Sequence, residues 1–136
     1  MPIEDGEAFR LYRWDELPLE KVTEMVSRKI VSGTREMVAQ HYMKKGALVP
    51  VHAHESEQMT YVLQGALRAL VNGDEVIVRE GEILHVPPQV PHQAEAIEDT
   101  FTLDLFCPIR PEWLDQAPAS ADQSSADAAP TPGEEA

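Results

Sequence analysis

The sequence has few of the features that mark secreted or membrane-spanning proteins. Cys107 is the only cysteine among 136 residues, so no disulfide can form within the chain. No segment approaches the roughly 20 consecutive apolar residues of a membrane span. Residues 1–6 contain no apolar run that would indicate a secretory signal. We therefore expect a cytoplasmic protein without a membrane partner.

Basic residues are also scarce. The 11 lysines and arginines stand against 24 aspartates and glutamates, which gives a formal net charge of −13. Such a chain is repelled by nucleic acids and by anionic membranes. No helix-turn-helix pattern is visible, so regulation through DNA is disfavoured. A small anionic ligand remains compatible with this charge, because a local cation can dominate the field inside a pocket.

Large apolar residues are absent from the end of the sequence. Residues 117–136 contain no aromatic residue, no aliphatic residue larger than alanine and no lysine or arginine. Such a segment cannot bury enough apolar surface to offset the entropy lost on ordering. We predict an N-terminal arm over residues 1–26, one folded domain over 27–114 and a disordered acidic tail over 115–136.

The predicted domain consists of short runs rich in apolar and β-branched residues, separated by glycine and proline turn signals. The candidate strands are residues 28–32, 36–43, 58–63, 66–71, 75–79, 83–86, 92–97 and 100–107. Asn72-Gly73 between two such runs indicates a tight hairpin. The pattern predicts an all-β sandwich or barrel. A weaker pattern over residues 19–26 suggests a brief helical turn.

Three histidines and a glutamine have the spacing of a metal site. His52 and His54 are two residues apart, which on a strand points both imidazoles to one face. Gln58 lies four residues beyond His54, so its side chain can point to the same face. His92 follows the proline-rich turn 87–91. Three neutral imidazoles and a carbonyl oxygen suit one divalent first-row metal ion. The alternatives are ordinary strand histidines and a glutamine that only lines the barrel.

These residues resemble the two conserved motifs of the cupin superfamily. The first motif, Gly-x5-His-x-His-x3-Glu-x6-Gly, is matched except that glutamine replaces the glutamate; the matching residues are Gly46, His52, His54, Gln58 and Gly65. The second motif, Gly-x5-Pro-x-Gly-x2-His-x3-Asn, is matched more loosely at Gly81, Pro87 and His92. The resemblance implies a single-domain double-stranded β-helix, or jelly-roll barrel, although cupin membership alone does not fix a function.

A narrower resemblance is to the pectin- and alginate-degradation cupins, which open the ring of 4,5-unsaturated monouronates. The segments that carry it are residues 57–65, 86–92 and 97–110. It implies an isomerase-type enzyme with a small anionic sugar substrate. It also implies a metal set of His52, His54, Gln58 and His92, with Ni, Zn, Fe or Mn as the candidate ions. Its implied catalytic residues are Asp104, Phe106 and Arg110.

The implied catalytic residues have simpler interpretations. Asp104 could lie in water on an exposed sheet face, Phe106 could fill the core, and Arg110 could be a solvated loop residue. His41 and His85 are expected to be half-buried and hydrogen-bonded rather than ligands, although His85 could line the pocket mouth. Cys107 is expected to be a small buried hydrophobic residue.

Two other functions remain open from the sequence. One is a metal-dependent dioxygenase or another cupin oxidoreductase acting on a small organic substrate. The other is a non-catalytic cupin that binds a sugar or a metal. In each case we expect a homodimer, because barrels of this size often cover an arm or an edge strand with a second subunit.

Overall fold

The computed structural model describes residues 4–6 and 8–114, so the predicted tail over 115–136 lies outside the described residues. A 3₁₀ turn spans Trp14–Glu16, and a single-turn helix α1 spans Pro111–Leu114. The strands are β1 (Glu4–Asp5), β2 (Arg10–Leu11), β3 (Glu20–Lys21), β4 (Val26–Ser32), β5 (Met37–Met43), β6 (Leu48–His52), β7 (Glu57–Gln64), β8 (Ala66–Val71), β9 (Asp74–Arg79), β10 (Ile83–Val86), β11 (His92–Ala96) and β12 (Thr100–Cys107).

The strands form two antiparallel sheets that enclose a common interior. One sheet has six strands in the order β10-β7-β12-β5-β4-β3, and the other has four in the order β6-β11-β8-β9. Strands β1 and β2 form a separate pair. This architecture confirms the predicted all-β fold. In the described residues, no helix is long and apolar enough to cross a membrane.

Apolar side chains from both sheets pack into the interior. The largest buried cluster joins residues of the six-stranded sheet to residues of the four-stranded sheet: Val26, Met43, Val62, Leu67, Val78 and Ala96. Burial of a large aliphatic side chain stabilises a fold by roughly 1.5–3 kcal/mol. A second cluster, formed by Met37, Ala39, Phe106 and Trp113, packs α1 against the six-stranded sheet. The two clusters fix the strands that carry the polar residues of the interior.

Two turns depend on residues that tolerate positive φ. The predicted hairpin between β8 and β9 is confirmed, with φ of 52° at Asn72 and 89° at Gly73. Gly65, with φ of 94°, lies where the chain passes from β7 to β8 and thus from one sheet to the other. A Cβ atom at Gly65 would lie 2.5 Å from the carbonyl oxygen of Asp99. Only glycine therefore fits this crossing.

Strand β6, which contains Pro50, was not among the candidate strands. Proline has no N–H to donate and is confined to edge strands or bulges. The structure places β6 at the edge of the four-stranded sheet, where that N–H is not needed.

The helical turn expected over residues 19–26 is wrong. Residues Glu20–Lys21 form β3 and pair with β4, and the Thr23 hydroxyl accepts the amide hydrogens of Met25 and Val26 in the following turn. The buried Arg28 of β4 also holds the carboxylate of Glu20 at 2.7 Å. This pairing with the six-stranded sheet overrides the weak local helical preference.

The prediction for Cys107 is also wrong, because its side chain is exposed. Successive residues of a strand point to opposite faces. Asp104 and Phe106 of β12 are buried, so Cys107 lies on the opposite, outer face.

Candidate metal centre

Strand pairing brings the three predicted histidine ligands together. His52 ends β6, His54 lies in the loop that follows, and His92 begins β11. Strands β6 and β11 are neighbours, and His52 and His92 are paired directly in their register. The ring centroids lie 4.3 Å apart for His52 and His92, 4.9 Å for His54 and His92, and 5.3 Å for His52 and His54. The three rings therefore form one compact cluster.

Each imidazole is oriented by a backbone carbonyl two residues away. The Nδ1 atoms of His52, His54 and His92 lie 2.9, 2.9 and 2.8 Å from the carbonyl oxygens of residues 50, 56 and 90, respectively. A carbonyl oxygen can only accept, so each Nδ1 carries the hydrogen. This bond fixes the tautomer in which Nε2 is an unprotonated donor atom for a metal.

The rings are held in the neutral form that a metal ligand needs. Burial lowers the pKa of His52 from 6.5 to about 3, and the hydrogen bond to residue 50 opposes this effect only in part. Burial likewise lowers the pKa of His54 to about 4, with the positive charge of Arg110 as the next cause. Burial also lowers the pKa of His92. All three imidazoles are thus neutral at neutral pH, with one hydrogen each.

Gln58 presents its carbonyl oxygen to the cluster. Its Oε1 lies 3.0 Å from Nε2 of His54, while its amide nitrogen donates to the hydroxyl of Thr60 at 2.8 Å. With the hydrogen of His54 on Nδ1, Nε2 and Oε1 are two acceptors facing one another. Two acceptors at this distance repel each other unless a cation lies beside both. The arrangement is that of two ligands sharing one ion.

His92 gives a second indication that the cluster binds a cation. Its Nε2 atom is buried and has no hydrogen-bond partner among the described residues. A buried polar atom without a partner is costly and calls for an explanation such as a bound ion. One ligand atom from each of the three histidines lies within 4.8 Å of the others. The residues present therefore fit a divalent metal with three nitrogen ligands and one oxygen ligand.

The other three predicted site residues are buried on the same side of the six-stranded sheet. Asp104 and Phe106 are two residues apart on β12 and therefore share its buried face, and Arg110 directly precedes α1. The ring of Phe106 meets that of His54 edge-on at 5.9 Å. The guanidinium of Arg110 stacks on the ring of Trp113 at 4.3 Å, and its Nε donates to Glu112 at 3.0 Å. The simpler interpretations of an exposed Asp104 and a solvated Arg110 are wrong.

These residues line one cavity of about 80 Å³ between the two sheets. Its polar lining consists of His52, His92, Gln58, Thr60, Thr102, Asp104, His41, Arg28, Arg110 and Gln93. Both arginines are almost fully buried. A cavity lined by candidate metal-binding histidines, a carboxylate and two buried arginines can bind an anionic ligand and transfer protons.

The sequence interpretation missed the partners of Asp104. Thr60 and Thr102 donate to its two carboxylate oxygens at 2.5 and 2.9 Å, and Nδ1 of His41 lies 2.7 Å from Oδ2. The sequence did contain a signal for the threonines. Thr60 is two residues from Gln58, and Thr102 is two residues from Asp104, so each pair lies on one face of its strand. His41 is partly buried and hydrogen-bonded, as expected, but its pairing with Asp104 joins residues 63 positions apart.

Trp113 was also missed as a residue of the cavity. Its ring lies between the guanidinium groups of Arg28 and Arg110, at 4.1 and 4.3 Å, and meets the ring of His41 edge-on at 5.6 Å. It therefore lines the cavity beside His41 and the two arginines. His85, by contrast, is exposed, bonds to Glu57 at 2.6 Å and does not line the cavity.

The sequence of this chain is similar to those of known cupins. The family model described as the cupin domain matches residues 40–108. The chain is 28% identical to the pectin degradation protein KdgF of Dickeya dadantii over 104 residues, which cover 74% of this chain and 94% of that protein.

Two solved structures are similar over most of the chain. The structure of KdgF from Halomonas sp. has 30% sequence identity and a TM-score of 0.71, with 74% of this chain and 94% of that chain covered. An RmlC-like cupin from Shewanella frigidimarina has 27% identity and a TM-score of 0.72, with 79% and 96% covered. The resemblance to the pectin-degradation cupins is therefore confirmed.

Proposed function

The chain belongs to the cupin domain family, and on that premise we propose that it opens the ring of 4,5-unsaturated monouronates derived from pectin or alginate. The product is the linear keto acid, and the reaction requires one bound divalent metal ion. The observation that carries the proposal is the convergence of three Nε2 atoms and one amide oxygen beside Asp104, Phe106 and Arg110. Similarity to the pectin degradation protein KdgF supports a substrate derived from pectin.

The ligand set suits an anionic substrate. A glutamate at position 58 would cancel one charge of a divalent ion, whereas Gln58 leaves both. When bound, the metal supplies Lewis-acid chemistry that stabilises negative charge developing on a substrate oxygen. Arg110 adds to this field, since its charge already lowers the pKa of each histidine in the cluster. A bound divalent ion together with Arg110 would therefore give the cavity a positive potential, although the chain is strongly acidic.

The reaction rearranges bonds without an external reactant. The proton of the O1 hydroxyl is removed, its electron pair forms the C1 carbonyl, and the C1–O5 bond breaks. The enolate left at O5–C5–C4 takes a proton at C4, and its electrons form the C5 ketone. One proton thus moves from O1 to C4, so the site needs a group that can both accept and release a proton.

The apolar and cationic residues of the cavity would hold the sugar for this transfer. Phe106 provides a flat wall between His54 and Arg110, and its ring lies 5.5 Å from that guanidinium. Arg110 is held in place by Glu112 and Trp113, so little entropy is lost when it pairs with the carboxylate of a uronate.

Ultraviolet spectroscopy tests the proposal. Ring opening destroys the conjugated enol ether, so the metal-loaded protein should accelerate loss of its absorbance band with freshly prepared pectin- or alginate-derived monouronates. Chelation and the His52→Ala substitution should abolish the acceleration, whereas His85→Ala, outside the cavity, should not. Absence of acceleration with either sugar, at verified metal occupancy, would refute the proposal.

A further inference from the structure

The environment of Asp104 is that of a residue that orients another group. Its Oδ1 accepts a hydrogen bond from Thr60, and its Oδ2 accepts one from Thr102. Its Oδ2 also lies 2.7 Å from Nδ1 of His41. Only 5% of Asp104 is exposed. Three donors around one buried carboxylate stabilise its charge and leave about one of its four lone-pair positions for a substrate proton.

We propose that His41 is the catalytic base and acid of the ring opening, and that Asp104 is its positioning residue. This inference rests on the proposed function and changes the assignment of Asp104 that the resemblance implied. The carboxylate holds the His41 tautomer with the hydrogen on Nδ1, so Nε2 is left as the basic atom. The same division of roles operates in the carboxylate–histidine pair of serine proteases.

The position of His41 suits this role. In β5 it pairs with Arg28 of β4 and with Thr102 of β12, and all three side chains line the cavity. Its ring is 15% exposed and is held by two contacts, the carboxylate of Asp104 and the edge-on ring of Trp113. A ring fixed on both sides loses little entropy when it meets a substrate proton.

The proton balance of the reaction also favours an imidazole. Nε2 of His41 takes the O1 proton as the C1–O5 bond breaks, and the imidazolium is stabilised by Asp104. The same Nε2 then returns that proton to C4 as the C5 ketone forms, which restores the neutral ring. One ring nitrogen of an imidazole can accept and release this proton while the other stays hydrogen-bonded to the carboxylate of Asp104.

Steady-state kinetics on the metal-loaded full-length chain test the inference. His41→Gln should lower kcat by about 100-fold or more, within the range for general acid–base catalysis. Metal content and KM should stay within a few-fold of the wild-type values. His85→Gln, the matched control at an exposed histidine, should retain the wild-type rate. Added imidazole should restore part of the rate of His41→Ala but none of the rate of Asp104→Asn.

Nitrogen NMR of the histidine rings provides a readout that does not depend on turnover. Nδ1 of His41 should carry the proton and Nε2 should be bare in the wild-type chain, and Asp104→Asn should change this tautomer. A proton on Nε2 would overturn the inference, as would a wild-type rate in His41→Gln. If the wild-type protein opens no uronate, the proposed function and the inference fall together. An active wild type with an active His41→Gln overturns the inference alone.

Discussion

The amide nitrogen of Gln58 donates to the hydroxyl of Thr60 at 2.8 Å. That hydroxyl has one hydrogen, and it is directed to the carboxylate of Asp104. Thr60 can therefore only accept from Gln58, which sets the amide with its nitrogen toward Thr60 and its oxygen toward His54. The predicted metal ligand Gln58 is thus oriented by a carboxylate two hydrogen bonds away, as is common for residues that support metal ligands.

This relationship predicts the effect of changes at Thr60. Thr60→Val removes the hydroxyl but preserves the shape of the side chain, so the Gln58 amide can rotate. We expect metal affinity to fall about 10- to 100-fold, the usual range for loss of such a partner. Calorimetric titration of the metal-free protein would measure it. Thr60→Ser, which keeps the hydroxyl, is the control, and equal affinity in the wild type and Thr60→Val would contradict the prediction.

Metal content is predicted from the histidine cluster. The wild-type protein should bind one divalent ion per chain, as measured by elemental analysis after dialysis against a buffered metal. Alanine at His52, His54 or His92 should each reduce this content to less than about a tenth, because the remaining ligands are too few for a closed site. His85→Ala should still bind one ion, and retained metal in the cluster variants would rule out the site.

The stability of the metal-free protein should fall as the solution is acidified. In the unfolded chain His52 and His54 take up protons near their ordinary pKa of 6.5, but in the folded chain only at about 3 and 4. Below pH 6.5 the unfolded state therefore binds more protons, and the free energy of unfolding decreases as the pH falls toward 4. Urea unfolding at pH 7, 6 and 5 would measure this decline.

His52→Gln serves as the matched variant for this experiment, because it removes one of the three histidines whose pKa is lowered by burial. Its free energy of unfolding should decline less between pH 7 and 5 than that of the wild type. Parallel declines in the two proteins would show that His52 is not held neutral by burial.

We predict a homodimer that forms through the outer face of the six-stranded sheet. Residues that alternate with the cavity-lining positions present large apolar side chains outward, with exposed fractions of 43% at Met59, 60% at Ile83 and 42% at Leu105. In β7, β10 and β12 the only acidic residue on this face is Glu57. A second copy of this acidic chain meets little charge repulsion here, and its burial would cover the apolar patch.

Light scattering coupled to size-exclusion chromatography tests the dimer. Leu105→Glu should shift the mass from dimer to monomer, because it places a charge in the centre of the interface. Val76→Glu alters an equally exposed apolar residue of β9, in the other sheet, and should leave the dimer intact. A monomeric wild type at micromolar concentration would contradict the prediction.

Much of this structure could be predicted because its signals are local. Turn residues such as Asn72-Gly73 are visible in the sequence, and so is the spacing of His52, His54 and Gln58. The pairing of His41 with Asp104 was not predictable in this way, because it depends on the register of β5 against β12. The position of Trp113 depends similarly on the packing of α1 against buried arginines, which leaves no periodic pattern.

The most direct test of the central claim is to identify the product by carbon and proton NMR while the metal-loaded protein acts on a 4,5-unsaturated monouronate. Our account predicts that the vinylic C4 proton disappears while a C5 ketone and a C1 aldehyde or its hydrate appear. In D₂O, one deuterium should enter C4, and no oxygen should be consumed. An unchanged sugar with metal bound, or an oxidised product formed with oxygen uptake, would contradict the account.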